Sequence, residues 1–426
     1  MSAGNIAERL YYDSPELGFT ATVTDIRLDS HEKNEAGEKQ QLWQVALDRT
    51  AFYPEGGGQP WDTGALVAVS RSGATLEVPV ERVEEDEAGE VWHFVRKPLV
   101  EGTEITGRVD AARRMDHAQQ HSGQHLLSAV FLSELEAKTV SFHLGAETSS
   151  IDLVLREGVE RLSEEELQRV EAAANRLIFE DRALTPRWVP QHVAAAMYEH
   201  GDLRKLPERE GPMRIVEMQG VEFNACGGTH VASTGAIGGL LLRRVEKVRQ
   251  GWRVEFVCGL RAVRAARRDF ELLTGVAGSL SVGTGDVPGR VTSLLEDAKA
   301  ATKERRGLIE ELARAEAVAL VTGAIAGAVV RAVFVGKDME FAKQVAAKVA
   351  GFGRSAVVGT ANESEGAIAM ARSAGTAVDC GKVLREVLSA AGARGGGSAE
   401  RAQGVCRAEQ VEELVGKLVD ALSKPN

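Results

Sequence analysis

Two short motifs in this chain carry side chains that can hold a metal ion between them. The first is His121-Ser-Gly-Gln-His125. In a helix, a spacing of four puts both imidazoles on one face, a turn apart, within reach of a single ion. The second is Cys226-Gly-Gly-Thr-His230. A thiol and an imidazole are again four apart, but the paired glycines argue against a helix and for backbone turned tightly round a ligand. Neither motif is specific alone, since two of nine histidines often fall four apart and a lone cysteine is commonly a small buried hydrophobe. Together, three nitrogens and one sulfur make a donor set suited to zinc, with bonds of about 2.0–2.3 Å. Four protein ligands lean towards a closed structural site, whereas a catalytic site keeps a place for water. Counting ligands leaves both roles open.

The first motif requires a helix, and the run from about Arg113 to Leu135, thickening into LLSAVFL, supplies one. Residues 1–110 before it hold the β-like runs FTATVTDI, QLWQVALD, ALVAVS, LEVPVERV and EVWHFV, separated by Gly, Asp, Pro and charged turns. They predict a β-rich, barrel-like domain. The acidic run at residues 84–90 reads as a solvated turn between two of its strands. Residues 111–265 read as an α+β core containing both motifs, with an amphipathic helix over 162–181 opened by a Ser163-x-x-Glu166 capping box. Between Arg243 and Arg268, nine basic residues face only Glu246 and Glu255, a local charge of +7. That surplus fits either a solvated helix face or a phosphate-binding patch containing Arg264, Arg267 and Arg268.

A heptad seam follows within 266–322, through Val291, Leu294, Ala298, Ala301, Arg305, Leu308, Leu312 and Ala315. It predicts a helical connector, coiled coil or hairpin. Residues 323–426 alternate apolar strands with amphipathic helices, as in an α/β domain. The fold class is therefore α+β: a β-rich domain, a zinc core, a helical connector and a C-terminal α/β domain.

Composition bounds what such an architecture can do. At 426 residues, 44% hydrophobic and 27% charged, the chain is long enough for several buried cores and is not wholly disordered. No apolar run approaches the roughly 18 residues of a membrane span, and no basic-then-apolar leader opens the sequence. Four cysteines make no disulfide scaffold, which predicts a reduced, cytoplasmic protein. A net charge of −11 excludes blanket coating of nucleic acid but leaves a local basic face open.

The motifs resemble the editing domain of alanyl-tRNA synthetase and its free-standing relatives, the alanyl-tRNA editing proteins of the AlaX type. Thr50-Ala-Phe-Tyr-Pro-Glu-Gly-Gly-Gly-Gln59 with Trp61-Asp-Thr-Gly64 resembles the family's glycine-rich strand and turn. The run from Arg113 to Leu127, Glu222 to His230 with Gly235-Ala-Ile-Gly238, and Arg253-Val-Glu-Phe-Val-Cys-Gly259 are similar to its zinc helix, second zinc segment and closing strand. Gly395 to Gly404 resembles the glycine-rich signature of the synthetase's C-terminal domain, although Ser398-Ala-Glu departs from the usual Arg-Pro-Asp and puts a phosphate-contact role for that loop in doubt. The resemblance covers nearly the whole chain and suggests the long form of the family.

It implies a zinc-dependent aminoacyl-tRNA hydrolase acting without ATP on misacylated alanine-accepting tRNA, carrying serine or glycine. His121, His125, Cys226 and His230 would be the metal and catalytic residues. Zinc would either activate water or position the substrate's amino group. Thr139 and Ser141 fall where the family places a serine-recognising threonine, and the alternative is two outward-facing strand residues. His143 and Gln59 are further substrate-binding candidates. A homodimer is expected from the heptad and C-terminal module. No class II synthetase catalytic domain is evident before residue 50, so deacylation and not charging of tRNA is expected. Two rivals are a zinc-stabilised tRNA-binding module without turnover and a DHH-like phosphoesterase. Asp116-His117-Ala118 breaks the triplet the latter requires.

Overall fold

The computed structural model describes residues 6–33, 39–70, 72–207, 211–249 and 251–423, with side chains outside 31–40. It is a mixed α+β chain that divides into two compact units, Met1–Leu273 and Thr274–Asn426.

Six antiparallel strands of the first unit close into a barrel: β1 (Gly18–Lys33), β2 (Lys39–Leu47), β3 (Gly64–Val69), β4 (Thr75–Glu85), β5 (Val91–Val95) and β6 (Glu104–Val109). The order round the barrel is β1-β2-β5-β4-β3-β6, with β6 returning to β1. Closure leaves no strand edge unpaired. Inward residues such as Val45, Leu47, Leu66, Val78, Val80, Val95 and Ile105 fill the interior with Phe52. Sequence analysis found five of these strands and missed β6. Its Gly107 is a weak strand signal, yet a Cβ there would sit 2.3 Å from the Phe19 ring. Close packing explains the glycine.

The long helix α1 (Ala111–Leu135) leaves the barrel directly. Asp110 caps it by accepting from the amides of Ala112 and Arg113, and so it starts two residues before the expected Arg113. Leu126, Leu127, Val130 and Phe131 on one face pack into the core formed with β7 (Lys138–Leu144), β8 (Ser149–Val154) and α2 (Glu164–Phe179). The Ser163–Glu166 capping box opens α2 as expected. β9 (Leu184–Val189), α3 (Gln191–His200), β10 (Met213–Met218) and β11 (Glu222–Ala225) follow, then β12 (Leu240–Val248) and β13 (Gly251–Cys258). The strands form one sheet in the order β12-β13-β8-β7 and another in the order β9-β10-β11.

A buried ion pair ties the barrel to α1. Arg114 bonds Asp62 through Nε at 3.0 Å and the Ala51 carbonyl at 2.5 Å, while the Tyr53 amide donates to Asp62 at 2.8 Å. The glycine-rich turn between them is thereby pinned beside α1. Gly58 adopts φ +83° with its Cα face 3.0 Å, as an added Cβ would find it, from the Phe142 ring of β7. Both the backbone conformation and the close approach favour glycine.

The helix α4 (Gly259–Leu280) continues from β13, so the expected boundary at 265/266 falls inside it. In the second unit, α5 (Val287–Gly323) carries the heptad seam. Its buried residues among those described are Val287, Ala313 and Ala317, whereas Val291, Leu294, Leu308 and Leu312 on the seam are exposed. β14 (Val330–Val335), α6 (Met339–Gly351), β15 (Ala356–Ala361), β16 (Glu365–Ala371), α7 (Cys380–Ala390), β17 (Arg394–Gly397), β18 (Arg401–Arg407) and α8 (Val411–Ser423) complete it. The five strands run β14-β15-β16-β18-β17. The block read as a glycine loop is instead the hairpin β17–β18, pairing Gly395 with Gly404. A Cβ on Gly395 would lie 2.6 Å from Leu384 and Leu388, and one on Gly404 2.1 Å from Leu388. These glycines let α7 lie flat on the sheet. Among the described residues, no helix is long and apolar enough to cross a membrane.

Candidate metal centre

The two motifs meet beneath a cleft. His121 and His125 project from α1, while Cys226 and His230 follow β11 on the glycine turn, and the four donor atoms lie within 4.8 Å of one another. Cys226 Sγ is 3.3 Å from Nε2 of both His121 and His230. Bonds of about 2.0–2.3 Å in a tetrahedron imply donor separations of about 3.3–3.8 Å, so these two spacings suit a tetrahedrally bound metal ion.

Hydrogen bonds on the far side of the rings set which nitrogen faces inward. Gln59 Oε1 lies 2.8 Å from His121 Nδ1. A carbonyl oxygen only accepts, so Nδ1 carries the proton and Nε2 presents its lone pair to the cluster. Ser122 Oγ holds His230 Nδ1 at 3.2 Å and accepts the Val231 amide at 3.1 Å. Glu222 Oε1 lies 3.7 Å from His125 Nδ1, anchored by Arg204 and by Asn224 Nδ2 at 2.5 Å. His125 Nε2 is buried with no hydrogen-bond partner among the described residues. An ion would satisfy that atom.

Electrostatics point the same way. Burial holds His125 down to about 3, helped by nearby Arg204, and pushes His121 and His230 well below the ordinary imidazole range. All three rings are neutral at pH 7, which is the ligating form. Burial pushes the Cys226 thiol up, against the pull of the Gly228 amide and Arg214. A bound cation would reverse that balance and hold the thiolate.

The turn itself is clamped by Arg214, which donates to the carbonyls of Tyr12, Cys226 and Gly228 at 3.2, 2.8 and 3.1 Å. A Cβ on Gly228 would fall 2.2 Å from His121 Cε1. That glycine is needed for close approach.

Above the cluster opens a cleft of about 820 Å³. His121, His125 and Cys226 line it, with Tyr12 and Tyr53 on one side, Thr139 and Ser141 of β7, and Arg204 and Lys205. Thr139 donates to Ser128 at 2.8 Å, whereas Ser141 is exposed and donates to Asp152 at 2.8 Å. His143 is exposed and is not among the lining residues. Gln59, expected in the pocket, is fully buried behind His121 and acts on that ring instead.

The basic run resolves into paired and unpaired residues. Arg243, Arg244, Arg253 and Arg261 pair with Asp269, Glu246, Asp152 and Asp116. Among the described residues, Arg264, Arg267 and Arg268 form no ion pair; Arg264 and Arg268 line a small surface pocket with Glu147, and Arg267 lies 5.8 Å from the Phe270 ring.

Sequence reasoning missed Arg214, Ser122, Glu222 and Arg204. Arg214 alone left a signal, as a cation within the otherwise buried strand MRIVEM.

Residues 213–254, which include the Cys226 motif, match the family described as threonyl and alanyl tRNA synthetase second additional domain. Residues 3–113 match that described as tRNA synthetases class II (A). The barrel strands lie within this span. The alanine–tRNA ligase of Pyrococcus abyssi is 34% identical over 281 residues, 63% of this chain and 29% of that protein. That of Methanosarcina mazei is 30% identical over 418 residues, 93% of this chain and 42% of the ligase. The C-Ala domain of Aquifex aeolicus alanyl-tRNA synthetase matches 22% of this chain and 89% of its own length at 23% identity, with a TM-score of 0.21, too low to argue from. The chain is a relative of the class II alanyl-tRNA synthetases. It shares their second additional domain over residues 213–254, and it spans about 29–42% of the ligases it matches.

Proposed function

We propose that the cleft hydrolyses the ester of misacylated, alanine-accepting tRNA in trans, with a seryl or glycyl ester as substrate. The observation that carries this reading is the placement of the donor cluster: three of its four side chains line an open cleft. A purely structural centre has no need of access to solvent. His121, His125, Cys226 and His230 would hold zinc, which would either lower the pKa of water to about 7 or position the substrate's amino group.

The chain's own residues do the rest. Burial keeps the imidazoles neutral, while hydrogen bonds with Gln59, Ser122 and Asn224 orient His121, His230 and His125. Water adds to the ester carbonyl carbon, and the ribose oxygen departs with a proton; no nucleotide is consumed. Arg264, Arg267 and Arg268 would meet tRNA phosphates, the exposed heptad seam would pair two copies, and the protein would act in the cytoplasm. A four-part division, at 110, 265 and 322, belongs to the same reading, with α4 running across the second boundary.

A second reading is a zinc-stabilised tRNA-binding module without turnover, favoured by a donor set that already numbers four. A deacylation assay with seryl-, glycyl- and alanyl-tRNA separates the two. The first reading expects hydrolysis above background for a misacylated species, with Cys226→Ala and His125→Ala losing both metal and activity. The second expects tight tRNA binding and background hydrolysis throughout.

A further inference from the structure

We propose that Arg214 couples the metal turn to an N-terminal strap, residues 8–13, so that a bound ion fastens the strap as one wall of the cleft. The inference rests on the metal-binding part of the reading above and not on ester hydrolysis. The strap is anchored at both ends. On the barrel side, Glu8 and Arg9 run parallel to Arg49 and Thr50, while Arg9 donates to the Gly89 carbonyl at 3.0 Å and pairs with Glu85 at 2.8 Å. At the other end, Asp13 accepts from Trp188 Nε1 of β9 at 3.0 Å, and the Tyr12 and Trp188 rings meet edge-on with centroids 5.5 Å apart. Between these anchors, Tyr11 and Tyr12 line the cleft.

Arg214 joins that strap to the donor turn. It projects from β10, is only 7% exposed and forms no ion pair among the described residues. Its Nε donates to the Tyr12 carbonyl at 3.2 Å, while Nη1 donates to the carbonyls of Cys226 and Gly228 at 2.8 and 3.1 Å. The first carbonyl belongs to the strap. The other two belong to the turn that carries Cys226 and leads into His230. The Tyr12 ring also lies against this turn, since a Cβ on Gly227 would stand 3.7 Å from it. A guanidinium is planar and rigid, so its donors keep fixed angles and a shift of either partner misaligns the other. Stranding a buried donor is costly, so strap and turn hold or release together. An ion that fixes the turn therefore favours the seated strap, and by reciprocity the seated strap raises metal affinity by the same factor. Arg214 is a positioning residue for both.

Hydrogen exchange of the full chain, read by mass spectrometry with zinc bound and after chelation, tests the strap without any variant. Zinc is expected to slow exchange in peptides covering residues 8–13 roughly 5- to 100-fold. Two variants then locate the link. Arg214→Lys has one nitrogen where three carbonyls need donors, so it should abolish the zinc dependence of strap exchange. Chelator competition should show its zinc affinity lowered by at least the same factor. Trp188→Phe keeps a ring but loses the bond to Asp13, so it should speed strap exchange in both states and preserve the ratio between them. Strap exchange that zinc leaves unchanged, in a wild type carrying one equivalent, overturns the coupling and leaves metal binding standing. A zinc-loaded Arg214→Lys that keeps the full ratio, or a Trp188→Phe that also loses it, overturns the assignment to Arg214. A chain that takes up no zinc overturns the metal reading and the coupling alike.

Discussion

Replacing Gln59 by Leu tests how the centre is held without touching a donor atom. The side chain is fully buried and makes three hydrogen bonds: Oε1 accepts from His121 Nδ1 at 2.8 Å and from the Thr229 amide at 3.1 Å, and Nε2 donates to Thr229 Oγ1 at 2.9 Å. Leucine fills a similar volume and removes all three. Two donors, His121 Nδ1–H and Thr229 N–H, are then stranded away from water. At about 1–3 kcal/mol for each stranded group, the substitution should destabilise the metal-free protein by about 2–6 kcal/mol. Losing the partner that fixes the His121 tautomer should weaken metal binding by roughly 10- to 100-fold. Competition against a chromophoric chelator measures that affinity, and urea unfolding measures the stability. Gln59→Glu keeps the acceptor and should retain most of the affinity. If Gln59→Leu bound zinc within twofold of wild type, at unchanged unfolding free energy, the orienting role of Gln59 would be refuted.

Other outcomes follow from single contacts. Gly228→Ala places a Cβ 2.2 Å from the His121 ring and should lower the metal content of purified protein, as elemental analysis would show; full occupancy would mean that the turn yields easily. In the barrel, His93 is fully buried and satisfied as the neutral form, with Nδ1 donating to Val45 O and Nε2 accepting from Thr50, so burial lowers its pKa from 6.5 to about 4. The unfolded chain takes up a proton below 6.5 that the folded chain refuses until about 4, so this contribution is fully present above pH 6.5 and is lost as the pH falls to about 4. The loss amounts to about 3 kcal/mol in urea unfolding at pH 4 against pH 7. His93→Gln should flatten that difference, and an equal slope would contradict it. Changing Arg264, Arg267 and Arg268 together to Ala should weaken tRNA binding and reduce the salt slope by roughly two to three, at unchanged metal content, and an unaltered slope would make the patch a solvated helix face.

The sequence made the donor set legible because its residues come in two local pairs, each within five positions, and local spacing is what a sequence displays. The barrel was legible through alternation in five strands, and α2 through its capping box. What escaped depends on contacts distant in the chain. Gln59 reaches His121 across 62 positions and Thr229 across 170, so its role as an orienting group rather than a pocket residue emerged only with the fold. Glycines misled twice. Gly107 disguised a strand, and Gly395 to Gly404 disguised a hairpin as a loop, because each glycine answers to a neighbour packed against it and not to a turn. The basic run overstated its own surplus, since the carboxylates that neutralise Arg253 and Arg261 lie 101 and 145 positions away. The seam on α5 was visible as a pattern, but Ala313 and Ala317, which the helix buries, lie off it.

The central claim is that the cluster makes the cleft a hydrolytic site. Single-turnover deacylation of seryl-tRNA for alanine tests it most directly, using the full chain as purified, after chelation, and after zinc is returned. The account predicts hydrolysis well above the uncatalysed rate, loss on chelation, and recovery with one equivalent of zinc. Background hydrolysis by a protein shown to carry a full equivalent of zinc and to bind that tRNA would contradict it.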